Sequence, residues 1–282
     1  MEQELDPINC KMFDPLPSPL PVTKYIVEML EKRDLNREEI LNALKLDPAL
    51  AAQVIRLANS SVPNVGISVS SLKNAINLLG LERIFSLLEI SLILGKKRER
   101  EKYPISIKRF WAHSLLVALI SESIGKFLKR YQYIETDILF CAGLLHDIGK
   151  LVLCTNRPQE LRKAVVASTN KVFFHCEDCS CSHVSVGAFF AEKCFYPPDL
   201  CSVISSHHAP EESEGYVMLG EVVHIADNMA HVLGYGVVEK ESVPEIKLEA
   251  LKRVNLQGES LRVIASTALE HHKRIRLQVD ML

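Results

Sequence analysis

Apolar residues recur at three- and four-residue spacing along most of the chain, and helix caps separate the resulting stripes. Asn36 before two glutamates is typical of a helix N-terminus, as is Asp47 before Pro48. Gly80 is typical of a helix end. The first hundred residues are therefore predicted to form a helical bundle. Its helices are predicted at 22–34, 37–44, 48–60, 70–79 and 84–94.

The second half of the chain continues the helical pattern with longer apolar runs. Residues 110–131 predict an amphipathic helix, and residues 137–154 predict one that is apolar on nearly all sides. Two amphipathic segments follow Val243. Because no stretch alternates apolar and polar residues over several strands, the predicted fold class is all α. Further helices are predicted at 182–195, 197–208 and 217–233.

Two segments interrupt the pattern and predict boundaries. Four prolines exclude a helix over 14–21, and the charged run 96–102, followed by Pro104, has almost no apolar residue to bury. A solvated helix end is compatible with the same run. The predicted organisation is a Pro-rich strap at 1–21, an N-terminal helical bundle at 22–103, a second helical domain packed on it at 104–235, and a C-terminal helical extension at 236–282.

Composition and charge narrow the classes of function. The net charge of −2 and the pI near 6.6 show no excess of basic residues, so no nucleic-acid partner is expected. The first twenty residues contain no secretory apolar run, and the apolar segment 138–154 is shorter than a bilayer span and contains charges. We expect no membrane insertion. Eight cysteines, several of them inside apolar helical patterns, fit a reducing cytosol, so a cytoplasmic location is expected.

Three polar side chains inside an apolar run are the strongest chemical signal. His146, Asp147 and Lys150 lie among Leu, Ile and Gly, where burying an unpaired charge costs several kcal/mol. Partners from other helices are therefore expected. His113, on an inward-facing apolar stripe, and Asp227, within another apolar helix, can complete a metal site of two histidines and two aspartates.

Three more histidines offer ligands for a second metal ion. His183, His207 and His208 lie on two neighbouring predicted helices, and Asp147 can bridge two ions. Each residue alone has a simpler interpretation. The paired histidines can complement the negative end of a helix dipole, Asp147 and Lys150 can form a buried ion pair, and Asp227 can bond to a loop. The set as a whole favours metal binding, by one or two divalent ions of iron, manganese, zinc or nickel.

The order of these residues resembles known families. His113, then His146-Asp147, then Asp227 looks like the HD superfamily of metal-dependent phosphohydrolases, and the three additional histidines resemble its HD-GYP phosphodiesterase branch. The N-terminal half resembles the HDOD domain, a bacterial signalling output module, and the similarity covers roughly residues 13–235. The HDOD-like motifs are Leu16-Pro17 to Pro21, Asp47-Pro-Ala-Leu50, Arg56-Leu-Ala-Asn-Ser60, Ile76-Asn-Leu-Leu-Gly80 and Phe110-Trp-Ala-His113.

The resemblance implies a helical fold, an HD-type domain at 104–235 that carries the metal pocket, and a role in signal transduction. Its expected partners are signalling proteins or a small phosphorylated or nucleotide ligand. The Gly-Tyr-Pro segment of HD-GYP enzymes is absent, since Ala209-Pro-Glu-Glu stands there, and Arg109 occupies the place of a glutamate in trinuclear sites. A signalling module is thus the first interpretation. The alternative is a phosphohydrolase in which Asp147 orients a metal-bound water and Lys150 neutralises phosphoryl charge.

A second, local metal site is also conceivable. The segment from His175 to His183 contains Cys176, Cys179 and Cys181, which is enough to hold zinc. His183 cannot serve both this cluster and the helical pocket. The simpler interpretation of the segment is a loop rich in cysteine.

Overall fold

The computed structural model of this protein describes residues 16–18, 28, 36–61, 68–98, 103–129, 135–167, 182–213, 215–238 and 242–281. Within these ranges the chain is helical and contains no strand, which confirms the predicted all-α class. The helices are α1 (Arg37–Lys45), α2 (Pro48–Ser60), α3 (Leu72–Leu79), α4 (Leu81–Arg98), α5 (Ile107–Leu128), α6 (Thr136–Leu145), α7 (Ile148–Asn156), α8 (Pro158–Ala167), α9 (His183–Lys193), α10 (Pro198–Ser206), a 3-10 turn (Pro210–Glu212), α11 (Val217–Val232), α12 (Leu248–Arg253) and α13 (Glu259–Met281).

The predicted caps begin the N-terminal helices. The Asn36 side chain accepts from the backbone N–H groups of Glu38 and Glu39, and the Glu39 carboxylate accepts from Asn36 N–H at 2.9 Å. The buried Asp47 carboxylate accepts from the N–H groups at the start of α2, the nearer at 2.8 Å. These bonds satisfy backbone donors that a helix start leaves without partners.

Three helix predictions need comment. The helix predicted at 22–34 lies outside the described residues except for Glu28, which is helical. The single helix predicted at 137–154 is wrong, because α6 ends at Leu145 and α7 begins at Ile148, with Asp147 outside helical geometry at φ −98° and ψ 14°. Helix α8 was not predicted, because the pattern from 158 to 181 is mixed.

The N-terminal helices share one apolar core with the rest of the protein. Among the described residues, hydrogen bonds also join the first hundred residues to the remainder. The Trp111 indole N–H donates to the Leu46 carbonyl, and the Tyr196 hydroxyl donates to the Ala52 carbonyl at 2.9 Å. Ser70 donates to the Asp199 carboxylate at 2.8 Å. The division into domains at 103/104 stays a prediction, and the two parts are packed together.

Close backbone approach at glycines sets the spacing of the central helices. Helix α5 packs against α6, α11 and α13, and α7 packs against α9. At Gly143 in α6, a Cβ atom would lie 2.9 Å from the Cα of Ala118 in α5. At Gly149 in α7, a Cβ atom would overlap the carbonyl oxygen of His183 and lie 2.8 Å from Gly187 N in α9. Only glycine allows these helices to lie so close.

One stretch of the described residues, 136–156, is long and apolar enough to cross a membrane by length and composition. It consists of α6 and α7, and 89% of its window is buried inside the protein. Such burial is what the core helix of a soluble protein shows.

Asp47 should make the stability of the fold depend on pH. Burial raises the pKa of Asp47 to about 6, although hydrogen bonds from Ser18 and the α2 backbone oppose the rise. A carboxyl with a raised pKa stabilises the folded state at low pH, and this contribution is lost as the pH rises through 6. Asp47→Asn keeps the cap without the charge. The free energy of unfolding of the variant minus that of the wild type should rise by about 2 kcal/mol from pH 4.5 to 7.5.

Urea unfolding at intervals over this pH range measures the difference. Asp137→Asn, in the partly exposed first turn of α6, is the matched control. A difference for Asp47→Asn that is no steeper with pH than that of the control would contradict the prediction.

Candidate metal centre

The structure places all seven side chains predicted as metal ligands in one pocket. They come from α5, from the turn between α6 and α7, from the start of α9, from the residues after α10, and from α11. Six of them are buried and His208 is partly exposed. The seven are His113, His146, Asp147, His183, His207, His208 and Asp227.

One group of ligands lies between α5, α6 and α11. Asp227 Oδ1 is 3.2 Å from His113 Nε2 and 3.7 Å from His146 Nε2. The two imidazole Nε2 atoms are 3.3 Å apart. These atoms are close enough together for one divalent ion to bind all three residues.

The other group lies at the start of α9 and the end of α10. His183 Nε2 is 3.2 Å from His208 Nε2, and the ring centroid of His207 lies 4.0 Å from that of His208 and 5.6 Å from that of His183. Potential ligand atoms of these three histidines also lie within 4.8 Å of one another. A second ion fits this group by donor type and spacing.

Asp147 lies between the two groups and faces both. Its Oδ2 atom is 3.5 Å from Nε2 of His113 and 3.5 Å from Nε2 of His146. Its Oδ1 atom is 3.2 Å from His183 Nε2 and 3.7 Å from His207 Nε2. Because Asp147 lies at the break between α6 and α7, its carboxylate reaches both groups. In a continuous helix the side chain would point along one face only.

Lys150 forms the buried ion pair with Asp147 that the sequence allowed as a simpler interpretation. Its Nζ atom is 2.6 Å from Asp147 Oδ2, and the lysine side chain is only 3% exposed. The ammonium therefore compensates part of the negative charge of the pocket. This pair accounts for one carboxylate oxygen and leaves the histidine clusters unexplained.

Backbone carbonyls orient three of the imidazoles. The Nδ1 atoms of His113 and His146 are each 2.8 Å from a carbonyl oxygen, that of Tyr235 and that of Gly143 respectively, and His207 Nδ1 is 3.2 Å from the Ile204 carbonyl. A carbonyl only accepts, so Nδ1 carries the proton. When the ring is neutral, the lone pair of Nε2 therefore faces the carboxylates. Metal-binding histidines are usually held in this way, with one ring nitrogen donating to a fixed acceptor and the other free to bind metal.

The pKa shifts describe a pocket that keeps its carboxylates ionised. Burial would raise the pKa of Asp147, but Lys150 and nearby imidazoles lower it well below its usual value. Burial would also raise the pKa of Asp227, which His231, His113 and His146 hold well below its usual value. Both carboxylates are therefore anionic inside the protein, with positive charge close to each.

The pKa shifts of the histidines differ between the two groups of candidate ligands. Burial alone would lower the pKa of His146, but the carboxylates of Asp147 and Asp227 raise it. Burial lowers the pKa values of His183 and His208, and it lowers that of His207 to about 3 with help from the positive charge of His146. The second group therefore presents neutral imidazoles, the form that binds metal ions.

The donor set fits a divalent metal ion. Both carboxylate oxygens of Asp227, Oδ1 of Asp147 and Nε2 of His207 are buried and make no hydrogen bond. When the imidazoles are neutral, lone pairs of nitrogen and oxygen face one another across the pocket, and this is unfavourable without a cation between them. The clusters are thus compatible with a divalent metal.

Sequence reasoning missed His231. It lies four residues after Asp227 on α11, and its Nε2 atom is 3.5 Å from Asp227 Oδ1. Its ring packs edge-on against His113 with centroids 5.1 Å apart. The i, i+4 spacing from Asp227 was the signal that could have identified it.

Arg109, which stands where trinuclear sites have a glutamate, has a different role in this structure. Its Nε–H donates to the Gly236 carbonyl at 3.2 Å. His113, one turn further along α5, bonds to the adjacent carbonyl of Tyr235. The two side chains thus hold consecutive carbonyls of the loop after α11.

The proposed local zinc cluster lies outside the described residues, since 168–181 are not described. His183, which that cluster shared with the pocket, faces Asp147 as the first residue of α9. Cys141, Cys154, Cys194 and Cys201 are free thiols.

A sequence profile of the HDOD domain matches residues 16–210. The chain belongs to the HDOD domain family. The profile covers the N-terminal helices, the His146-Asp147 turn and the paired histidines. Asp227 and everything after it lie beyond the match.

Curated relatives of this HDOD protein are distant. An uncharacterized protein of Treponema pallidum (strain Nichols) is 24% identical over 248 residues, which is 86% of this chain and 47% of that protein. Ribonuclease Y of Onion yellows phytoplasma (strain OY-M) is 26% identical over 189 residues, which is 67% of this chain and 29% of that protein. The HDOD chain spans less than half the length of these relatives.

Solved structures share the fold of the HDOD protein at low identity. The response regulator MmoQ from Methylococcus capsulatus str. Bath has a TM-score of 0.71 at 19% identity, over 90% of this chain and 98% of that chain. A virulence factor from Campylobacter jejuni subsp. jejuni has a TM-score of 0.63 at 15% identity, over 97% of this chain and 99% of that chain. These likenesses concern the fold alone.

Gly149→Ala should disrupt the second ligand group of this HDOD protein. The added Cβ would overlap the His183 carbonyl, so α7 and α9 must separate and carry His183 away from Asp147. We expect the free energy of unfolding to fall by about 1–3 kcal/mol, with reduced metal content in the folded variant.

Chemical unfolding and elemental analysis measure the two effects. Ile148→Val, at the neighbouring buried position, is the control, and it should cost about 1 kcal/mol without loss of metal. Wild-type stability in Gly149→Ala would show that the helices tolerate the extra atom and would contradict the prediction.

Proposed function

We propose that this protein is a bacterial, cytoplasmic HDOD signalling module whose histidine and aspartate pocket binds one or two divalent metal ions. It acts mainly by binding a signalling protein or a small phosphorylated or nucleotide ligand. The observation that carries the proposal is the position of Asp147, whose two oxygens face two separate histidine groups at 3.2–3.7 Å.

The assignment of ligands follows from the two groups. One ion would be held by His113, His146 and Asp227 together with Oδ2 of Asp147. The other would be held by Oδ1 of Asp147 and by the three histidines of the second group, His183, His207 and His208. Nitrogen and carboxylate donors suit iron, manganese, zinc and nickel.

Departures from the phosphodiesterase pattern favour binding over rapid turnover. The Gly-Tyr-Pro segment is replaced by Ala209-Pro-Glu-Glu, which here leads into the short 3-10 turn Pro210–Glu212. Arg109 holds a loop carbonyl instead of offering a carboxylate to a third ion. The histidines and aspartates of the pocket are retained, and these are the residues needed to hold metal and respond to a ligand.

Metal-dependent phosphohydrolysis is the second candidate, and the position of Asp147 beside Lys150 is the observation that favours it. A divalent ion, when bound, lowers the pKa of a coordinated water. Asp147 would orient that water, and the Lys150 ammonium, 2.6 Å from Asp147, would place a positive charge beside an incoming phosphoryl group. In this candidate Asp147 and Lys150 are the catalytic residues.

Asp147→Asn should remove bound metal. The variant keeps the size of the side chain and loses the charge shared by both groups. Protein prepared without a His tag or chelator should carry one to two equivalents of metal, and the variant should carry at least about tenfold less, measured by elemental mass spectrometry. His146→Gln serves as a second variant if Asp147→Asn does not fold, and Asp137→Asn is the control outside the pocket.

Metal-free wild-type protein from media supplemented with iron, manganese, zinc or nickel would overturn the proposal. Equal metal in the wild type and both pocket variants would place the metal elsewhere and overturn it as well.

Turnover separates the two candidates. If the protein is a signalling module, metal-loaded wild type should hydrolyse a simple phosphodiester, a cyclic dinucleotide and a short RNA at least about a thousandfold more slowly than the typical enzyme rate of about 10 per second. RNA is included because one distant relative is named a ribonuclease. Hydrolysis near the typical rate that Asp147→Asn and Lys150→Met both abolish would establish the phosphohydrolase instead.

A further inference from the structure

Residues beyond the HDOD match contact two of the candidate ligands, His113 at its ring and His207 at its backbone carbonyl. The matched range ends at residue 210, and the described segments 215–238 and 242–281 follow it. Two side chains of these segments, Tyr235 and His224, each connect a candidate ligand to the C-terminal helices. Neither residue faces the carboxylates of the pocket itself.

Tyr235 connects His113 to helix α13. Its carbonyl accepts from His113 Nδ1–H at 2.8 Å, while its hydroxyl donates to the His272 carbonyl in α13 at 3.4 Å. The Tyr235 and His272 rings also pack edge to face, with centroids 5.3 Å apart. Helix α13 is therefore one of the contacts that position Tyr235, another being the Ala230 carbonyl of α11, which accepts from the Tyr235 N–H at 3.0 Å.

His224 connects His207 to the segment before α12. Its Nδ1–H donates to the His207 carbonyl at 2.9 Å, and its Nε2 accepts from the backbone N–H of Lys247 at 3.1 Å. The Lys247 ammonium is 3.1 Å from a carboxylate oxygen of Glu211, in the 3-10 turn that follows the paired histidines. His224 is buried, so both of its bonds are shielded from water.

We propose that residues 235–238 and 242–272 form a positioning element of the metal pocket, which acts on His113 through Tyr235 and on His207 through His224. The inference rests on the proposed metal binding and adds how the protein controls the affinity for metal. One candidate ligand of each group is connected to this segment, so a partner that moves α13 would act on the first group, and one that moves the backbone at Lys247 would act on the second.

The physical basis is the orientation of the ligand rings. An imidazole binds metal well when its other nitrogen donates to a fixed acceptor, and losing such an outer bond typically costs 10- to 100-fold in metal affinity. For His113 that acceptor is the Tyr235 carbonyl. The His207 ring donates to the Ile204 carbonyl, and His224 acts on His207 by holding its backbone carbonyl. The coupling is reciprocal, since a metal ion that prefers the oriented rings also stabilises the segment that orients them. Metal binding should therefore tighten the C-terminal segment.

The test measures cobalt binding by the full-length protein. Co²⁺ affinity, determined by competition with a chelator, and the visible absorption spectrum of the bound ion are compared for wild type, Tyr235→Phe and His224→Phe. Each variant should bind Co²⁺ about tenfold more weakly, with an altered spectrum. His224→Gln, which can both donate and accept, should restore most of the affinity.

Lys252→Met in α12 is the matched control. Its exposed ammonium pairs with Glu249 on the same helix and touches neither connection, so Co²⁺ affinity should stay at the wild-type value. Hydrogen exchange of the wild type should also slow within 242–272 when Co²⁺ is added.

The outcomes separate this inference from the proposed function. Wild type that binds no Co²⁺ in the pocket overturns the proposed metal binding and the inference with it. Wild type that binds, with unchanged affinity and spectrum in both phenylalanine variants, overturns the inference alone. Variants that melt at lower temperature as apoproteins yet bind Co²⁺ normally show a merely structural role, which also overturns it.

Discussion

The burial of two carboxylates among histidine rings is the constraint on which the rest of this structure depends. Asp147 and Asp227 are each about 1% exposed, and an ionised carboxylate without partners is strongly destabilising at such depth. Lys150 compensates one oxygen of Asp147, and the Oδ1 atoms of both aspartates face imidazole nitrogens. Five parts of the chain must therefore meet at one point, and the packing of the helices follows from that requirement.

The backbone meets this requirement by close approach and by an interruption. Gly143 and Gly149 allow α5, α6, α7 and α9 to lie nearer than any side chain would permit. The break in helical geometry at Asp147 lets His146 face one group while Asp147 faces both. The apolar core that surrounds these elements extends to the N-terminal helices, so the pocket is supported by the whole fold.

Much of this arrangement could be predicted from the sequence, because its signals are local or chemical. Caps such as Asn36 and Asp47 identify helix starts, and histidine or aspartate within apolar helices identifies a polar pocket. The break after Leu145 could not be predicted, since an unbroken apolar run is equally compatible with one helix. His231 and the carbonyls that orient the imidazoles were missed because tertiary contacts, rather than residue type, give them their roles.

The exposure of the seven ligands is uneven, and this gives the pocket an inside and an outside. His208 alone among them is partly exposed, while His113, His146 and Asp227 lie beneath the packed helices. If metal ions bind as proposed, an ion in the second group would exchange with solvent past His208, whereas an ion in the first group would be enclosed by α5, α6 and α11. The two positions would then differ in lifetime, with the outer one responding to the cell and the inner one retained as part of the fold.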